Sequence, residues 1–518
     1  MDKGSIKDQV RARVEKESKQ RAEKAQRQSR RQAGDAVDSR FVRDCLYANQ
    51  LGDGLLFSGL HDGRFIQNKS SGDWLAWVGH HWERDETCRA LASVENVAQR
   101  YLQEAQEIVK EIDWAMQKKD TKQAKSLKEI QEDIYKRVSR LRTENGRTNC
   151  LKFAATNLEH PLEVKGDVLD QEPWLLACKN GVIDLRTGEL APGKPANMIS
   201  KASKIEYEGI EAPAPIWEET LMQIFDGDDQ LVKYLNRLMG YAITGLTTEN
   251  ILPILWGQGR NGKTTIVELI SHVLNDMARP IQSEMLLDQG RVKNSAGPSP
   301  DVMALRGLRI AFGSEADEGR RFSPSRVKWL SGGDSLVGRA PHDKYETYFA
   351  PTHTLILLTN HTPHAPPNDF AFWQRVHLIP FPLSFVDRAP QKDNERRVDK
   401  RLPDKLKGEA AGILSWLVRG CLRWQEIGLS PPQIIVDATA KYQRDEDTLA
   451  DFLDECCHID PLCETPATSI YDAFKEWFAE NVSKRTSISQ KKFGKLMGER
   501  FEKFKRGHNF YKGLRLLT

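Results

Sequence analysis

The stretch Gly257-Gln-Gly259-Arg-Asn261-Gly262-Lys263-Thr264-Thr265 decides how the middle of this chain folds. Glycines at this spacing let successive backbone N–H groups turn inward around an anion, and the lysine and threonines that follow place an ammonium and hydroxyls beside it. The flanks have the form such a loop needs. Ile251–Trp256 is a short apolar run that reads as a strand, and Ile266–Leu274 carries apolar residues at helical spacing. A strand entering the loop and a helix leaving it set the positive end of the helix dipole against phosphate. A chance glycine-rich turn would not be expected to combine the spacing, the Lys-Thr pair and both flanks. Gly257, Gly259, Asn261, Gly262, Lys263, Thr264 and Thr265 are therefore the candidate nucleotide-binding residues. Lys263 is placed to reach the β- and γ-phosphates of ATP, and Thr264 to offer its hydroxyl to Mg²⁺.

Such a loop needs an acid at the end of a neighbouring strand to hold the metal and polarise the attacking water. Arg309-Ile-Ala-Phe-Gly-Ser314-Glu315 supplies a short apolar strand ending on Glu315, with Asp317 two residues on. Next come Lys328-Trp-Leu-Ser-Gly332-Gly333-Asp334, Arg339 and Lys344. His353-Thr-Leu-Ile-Leu-Leu-Thr359 reads as a buried strand ending at Asn360, where a polar side chain can position the lytic water. Finally Phe372-Trp-Gln-Arg375 precedes a further apolar strand, Val376–Phe381. An arginine held there can reach a neighbouring subunit's nucleotide, a contribution of about 10³–10⁵ in rate in other NTPases.

In this order, and with Lys179-Asn-Gly-Val-Ile-Asp-Leu-Arg-Thr-Gly188 and Tyr234-Leu-Asn-Arg-Leu-Met-Gly240-Tyr-Ala-Ile-Thr-Gly245 ahead of them, residues 170–390 resemble the superfamily 3 helicase domain of the phage/plasmid primase-helicase family, which includes the poxvirus primase-helicase. Fainter likeness runs on through Glu409–Trp416 and Tyr442 to the C-terminus. The resemblance implies an α/β P-loop (AAA+-like) ATPase core, with Lys263 and Thr264 in the first motif and Glu315 as the second-motif acid. It implies Asn360 as the sensor and Arg375 as an arginine finger acting in trans. It also implies a homo-hexamer, a helicase moving 3′→5′ on single-stranded and forked DNA in the replication of a phage, plasmid or related mobile element. The segment from Lys328 to Lys344 resembles the motif whose loop enters the hexamer channel, which makes Lys344 and Lys328 the expected DNA contacts and Arg339 structural or intersubunit. Many relatives have adjacent acids at the second motif, whereas Glu315 is followed by Ala316. The division of metal and water roles between Glu315 and Asp317 therefore stays open. Relatives often carry a primase domain with an Asp-x-Asp metal pair; residues 1–150 hold none, so a separate primase and other replication proteins are expected as partners.

At 518 residues the chain exceeds a single core, and two to four domains are expected. Residues 1–36 read as a basic flexible tail, 37–210 as a mixed α+β domain with long helices over 87–145, 211–390 as the ATPase domain, and 391–518 as a helical region ending in a basic winged-helix-like module. Charge is concentrated at the ends: residues 2–34 carry eleven Lys/Arg against five acids, and residues 484–515 eleven against two. The basic end modules are the expected nonspecific and duplex DNA contacts. The net charge of +3 makes the chain as a whole no polyelectrolyte. Eight cysteines form no disulfide framework in a chain this long, and no apolar run is long enough for a membrane span. A charged second residue argues against a secretory signal, so a cytoplasmic setting in the host cell, with no membrane partner, is expected.

Other clusters read as structure. Cys456-Cys457-His458 with Cys463 lacks zinc-ligand spacing and suits a packed helix end. Trp74, Trp77 and Trp82 suit the core of a small sheet better than a base-stacking platform, and His80-His81 a surface turn. Three function classes follow: an ATP-driven helicase, an origin-binding initiator that uses ATP as an assembly switch, and a P-loop kinase. A kinase needs neither a trans arginine nor a channel loop.

Overall fold

Five strands, four of them largely apolar, line up side by side at the centre of the chain. The computed structural model describes residues 37–158, 161–290, 297–314, 319–341, 345–481 and 488–517. The basic tail, Glu315, Asp317 and Lys344 lie outside them. The central strands are β1 (Leu252–Trp256), β2 (Ala278–Gln282), β3 (Ile310–Ser314), β4 (Thr354–Thr359) and β5 (Val376–Pro380). They form one sheet in the order β5-β1-β4-β3-β2, every pairing parallel. All six residues of β4 are buried, as expected of a central parallel strand covered on both faces. Alternate side chains divide between two cores: Ile356 and Leu358 point to one, Leu355 and Leu357 to the other.

The first core is larger than the expected 211–390 domain. Trp174, Leu176, Cys178, Ile183, Leu185 and Tyr207 share it with the sheet, and so do Trp416, Cys421 and Trp424 from helix Ala410–Ile427. The strand-and-turn patch, Leu175–Cys178, Gly181–Asp184 and Glu189–Ala191, thus packs with the ATPase-like body, which begins near residue 170 rather than 211. Arg309 fixes this joint. Its buried guanidinium donates to the carbonyls of Glu172, Pro173, Leu175 and Thr244, and burial lowers its pKa to about 10. Helix Asp229–Ala242, capped by Asp228, crosses helix Ala410–Ile427 closely. A Cβ on Gly240 would lie 2.1 Å from the Cys421 nitrogen, and one on Gly420 2.1 Å from the Asn236 oxygen.

Ahead of this body, helices Ser39–Tyr47, Asn49–Leu60, Arg89–Gln117, Thr121–Leu141 and Glu144–Thr156 enclose a separate core. A small sheet, ordered Trp82–Arg84, Trp74–Trp77, Phe65–Asn68, Glu163–Val164, packs beside it. Trp82 is 1% exposed and donates its indole N–H to the Pro195 carbonyl at 2.9 Å, a packing role. At the other end, helix Thr448–Cys456 leads to strand Cys457–Pro466, helices Ala467–Asn481 and Gln490–Gly498, and strands Lys503–Arg506 and His508–Leu516. These form a third body with its own core, in which Cys457 is buried at the helix–strand junction. No helix among the described residues is long and apolar enough to cross a membrane.

Candidate nucleotide site

β1 ends at Trp256 and the chain turns through Gly257–Gly262 into helix Lys263–Leu274. The helix starts three residues before its apolar periodicity, because its first turn is the polar Lys263-Thr264-Thr265. Two glycines are required by geometry. Gly262 sits at φ +88°, and a Cβ there would meet Ile224 Cδ1 at 2.6 Å. A Cβ on Gly257 would lie 2.5 Å from the Phe381 carbonyl oxygen. Gly262 is also the helix N-cap and supplies no capping side chain, so no such cap engages the first-turn N–H groups.

Lys263 is 6% exposed, and its ammonium donates to the Gly257 carbonyl and, at 3.1 Å, to Asn360 Oδ1. Asn360 follows β4 directly, so the parallel register brings the loop's lysine and the expected sensor together. Asn261 is 3% exposed and its amide nitrogen has no hydrogen-bond partner. A buried donor without an acceptor is uncommon in a folded chain and suits a loop that accepts an anion. Ser314, the last residue of β3, stands two strands from β1 in the sheet; the expected acids Glu315 and Asp317 lie outside the described residues. The fit to a nucleoside triphosphate thus rests on the open loop, the buried lysine and the orphaned Asn261 donor.

Cavities flank the loop on two sides. One, about 610 Å³, lies between the loop residues Asn261 and Thr264 and a wall formed by Ile224, Phe385, Arg397 and Leu402. Its rim carries Asp387 and Asp399, whose carboxyls are held below the usual range by the ammonium groups of Lys400 and Lys405. The other, about 730 Å³, is lined by Trp256, Gln258, Gly259, Asn360, His364 and Glu446. Glu446 accepts from the Ala365 N–H at 2.9 Å and pairs with His364 Nδ1 at 3.1 Å. Neither wall carried a sequence signal, because its residues come from segments far apart in the chain.

Arg375 is placed differently. It immediately precedes β5, its carbonyl accepts from Leu252 N–H at 2.6 Å, and its guanidinium donates to the Ala371 carbonyl at 2.6 Å. Its Nε is buried without a partner. Leu252 opens β1 whereas the phosphate-type loop follows its end, so the length of a strand, about 15 Å, separates Arg375 from the loop of its own chain. Lys328, an expected DNA contact, is paired within the chain: its ammonium is 3.0 Å from Asp369 Oδ2. Arg339 donates its backbone N–H to Ser299 Oγ at 3.0 Å, at the end of a hairpin formed by Leu336–Gly338 and Thr347–Phe349.

Residues 55–226 match the family described as D5 N terminal like. The chain is 24% identical over 362 residues to a protein of Acanthamoeba polyphaga mimivirus whose name proposes a helicase, covering 67% of this chain and 37% of that one. Similarly named proteins of Frog virus 3 (22% identical; 61% of this chain, 40% of the relative) and Invertebrate iridescent virus 3 (25% identical; 71% and 41%) also match. The chain spans about two fifths of the length of these curated relatives. Among solved structures, the apo NrS-1 C terminal region aligns over 67% of this chain and all of that one at 12% identity, with a TM-score of only 0.35. The chain therefore carries a D5 N terminal like segment within a longer stretch similar to helicase-named proteins of large DNA viruses.

Proposed function

We propose that this chain is an ATP-hydrolysing DNA helicase that works as a ring, of six subunits in the form the resemblance implies. The observation that carries the reading is the division of the candidate residues between two edges of one sheet. Lys263, Asn261 and Asn360 gather at one edge, while Arg375 stands at the other and cannot reach its own loop. Two copies in head-to-tail contact would bring them together, and repetition of that contact closes a ring. In such an interface Lys263 and the first-turn N–H groups neutralise phosphate charge, Asn360 orients the attacking water, and the neighbour's Arg375 stabilises charge developing in the transition state. Bound Mg²⁺ would add Lewis-acid neutralisation of the phosphates, held through Thr264 with Glu315 or Asp317. Lys344, which in sequence falls between the two hairpin strands, is the proposed grip on single-stranded DNA, and 3′→5′ movement with primers from a separate primase completes the reading.

A second reading, an origin-binding initiator, is favoured by the C-terminal body. Lys491, Lys492 and Lys495 on one helix and Lys503, Lys505 and Arg506 on the following hairpin are all exposed. A basic helix next to a basic hairpin is suited to duplex DNA. One experiment separates the readings: strand displacement on a tailed duplex with ATP, run beside footprinting on the element's own DNA. Displacement that requires ATP and the tail supports the helicase. Footprints without displacement support the initiator, and turnover at full rate by a strict monomer overturns the ring.

A further inference from the structure

The ion pair between Lys328 and Asp369 joins two parts of the chain that the proposed function uses separately. Lys328 lies on helix Pro324–Ser331, which leads through Gly332-Gly333-Asp334 into the hairpin of Leu336–Gly338 and Thr347–Phe349. Val327 and Leu330 of that helix, and Leu336 and Phe349 of the hairpin stem, are buried in one core with Phe372 and Trp373. The hairpin stem and the helix are thus packed together. Asp369 is on the other side. Its Oδ1 accepts from the Phe372 N–H at 3.0 Å and caps the short turn Phe370–Trp373. Arg375 leaves that turn, and its guanidinium is bonded to the turn's Ala371 carbonyl.

We infer that Lys328 is a positioning residue that couples the hairpin to the turn bearing Arg375, so that displacement of the hairpin is passed to the arginine. The inference rests on the proposed function for the roles of hairpin and arginine, and on the geometry for the link. The turn is packed on its other side. Phe372 packs on Phe322 at 5.3 Å between ring centroids, and Trp373 packs on Tyr442 at 4.9 Å and donates its indole N–H to Pro366 at 2.8 Å. The turn is thus packed on its apolar side and tied to helix Pro324–Ser331 on its polar side by a half-buried ion pair. The pair adds little to stability, since Lys328 is 34% and Asp369 24% exposed. Its consequence is positional.

The test uses the full chain with ATP and single-stranded DNA, comparing wild type, Lys328→Met, Asp369→Asn and the double variant. Asparagine can keep the cap while removing the charge, and methionine keeps the aliphatic stem. The expected result is that the ratio of DNA-stimulated to DNA-free turnover falls by about 2- to 30-fold in each single variant, the range over which coupling residues act. The double variant should fall no further than either single one. DNA affinity and its salt dependence should stay at the wild-type value, and Lys328→Arg should restore the ratio. Full stimulation in Lys328→Met, or additive losses, overturns the coupling. A drop in DNA affinity with the salt slope reduced by about one makes Lys328 a phosphate contact instead. Wild-type protein without DNA-stimulated turnover overturns the proposed function and the inference with it.

Discussion

Gly262 holds a left-handed backbone, at φ +88°, where the loop after β1 passes into helix Lys263–Leu274. Alanine there is strained by about 1–2 kcal/mol in its backbone alone, and its methyl would press on Ile224. Gly262→Ala should weaken ATP binding about tenfold or more with the rest of the fold intact, read as a nucleotide Kd beside a thermal melt. A Kd at the wild-type value would show that the loop's conformation is not the binding conformation. Lys263→Ala acts on the same loop by removing a buried ammonium and leaving the Gly257 carbonyl and Asn360 without their donor. Hydrolysis should fall by about 10²-fold or more; turnover at the normal rate would remove the loop from the mechanism. These two residues were legible in the sequence because loop chemistry is local: the spacing of glycines, lysine and threonines is itself the geometry. Lys328 was not. Its partner Asp369 is 41 residues away, and only the fold brings them together.

At the scale of elements, the same contrast decides which strands could be foreseen. β1, β3, β4 and β5 are continuous apolar runs, buried on both faces, and the sequence marks each to within a residue or two at its ends. β2, Ala-Arg-Pro-Ile-Gln, has only Ala278 buried and lies at the sheet edge, where a proline is tolerated and no apolar run is needed. In the 175–191 patch, strand alternation in the sequence cannot say what a face packs against, so its place in the central core comes only from the structure. In the helical body, Asp53 is 3% exposed between the Tyr101 hydroxyl at 3.2 Å and the Arg137 guanidinium at 3.3 Å. Burial raises its pKa to about 6 despite both partners. The unfolded value is about 3.9, so the folded chain holds a proton that the unfolded chain has lost between those two values. The contribution of Asp53 to stability is therefore greatest below about pH 4, declines as pH rises toward about 6, and is level above. Asp53→Asn should flatten that decline, by up to ~3 kcal/mol, seen as a helical circular-dichroism melt less dependent on pH than wild type. An unchanged pH profile would mean that Arg137 compensates the buried charge fully.

At the scale of the whole molecule, the proposed composite site, with Lys263 from one subunit and Arg375 from the next, can be tested without knowing how many subunits assemble. A Lys263→Ala subunit has an intact arginine and a defective loop; an Arg375→Ala subunit has the reverse. Each variant alone should be inactive. Arg375→Ala should still bind nucleotide and assemble, because among the described residues its guanidinium bonds to its own turn, at Ala371. When equal amounts are mixed and allowed to exchange, the interface between an Arg375→Ala loop and a Lys263→Ala arginine is complete. Random assembly makes about one quarter of interfaces of that kind, so turnover should return to roughly a quarter of wild type if sites fire independently, and to less if they fire in concert. Recovery has no route in a protein whose arginine serves its own nucleotide, since every subunit would then lack one essential group. A mixture as inactive as its components, with subunit exchange verified by a tagged copy, would return Arg375 to its own chain and dissolve the ring.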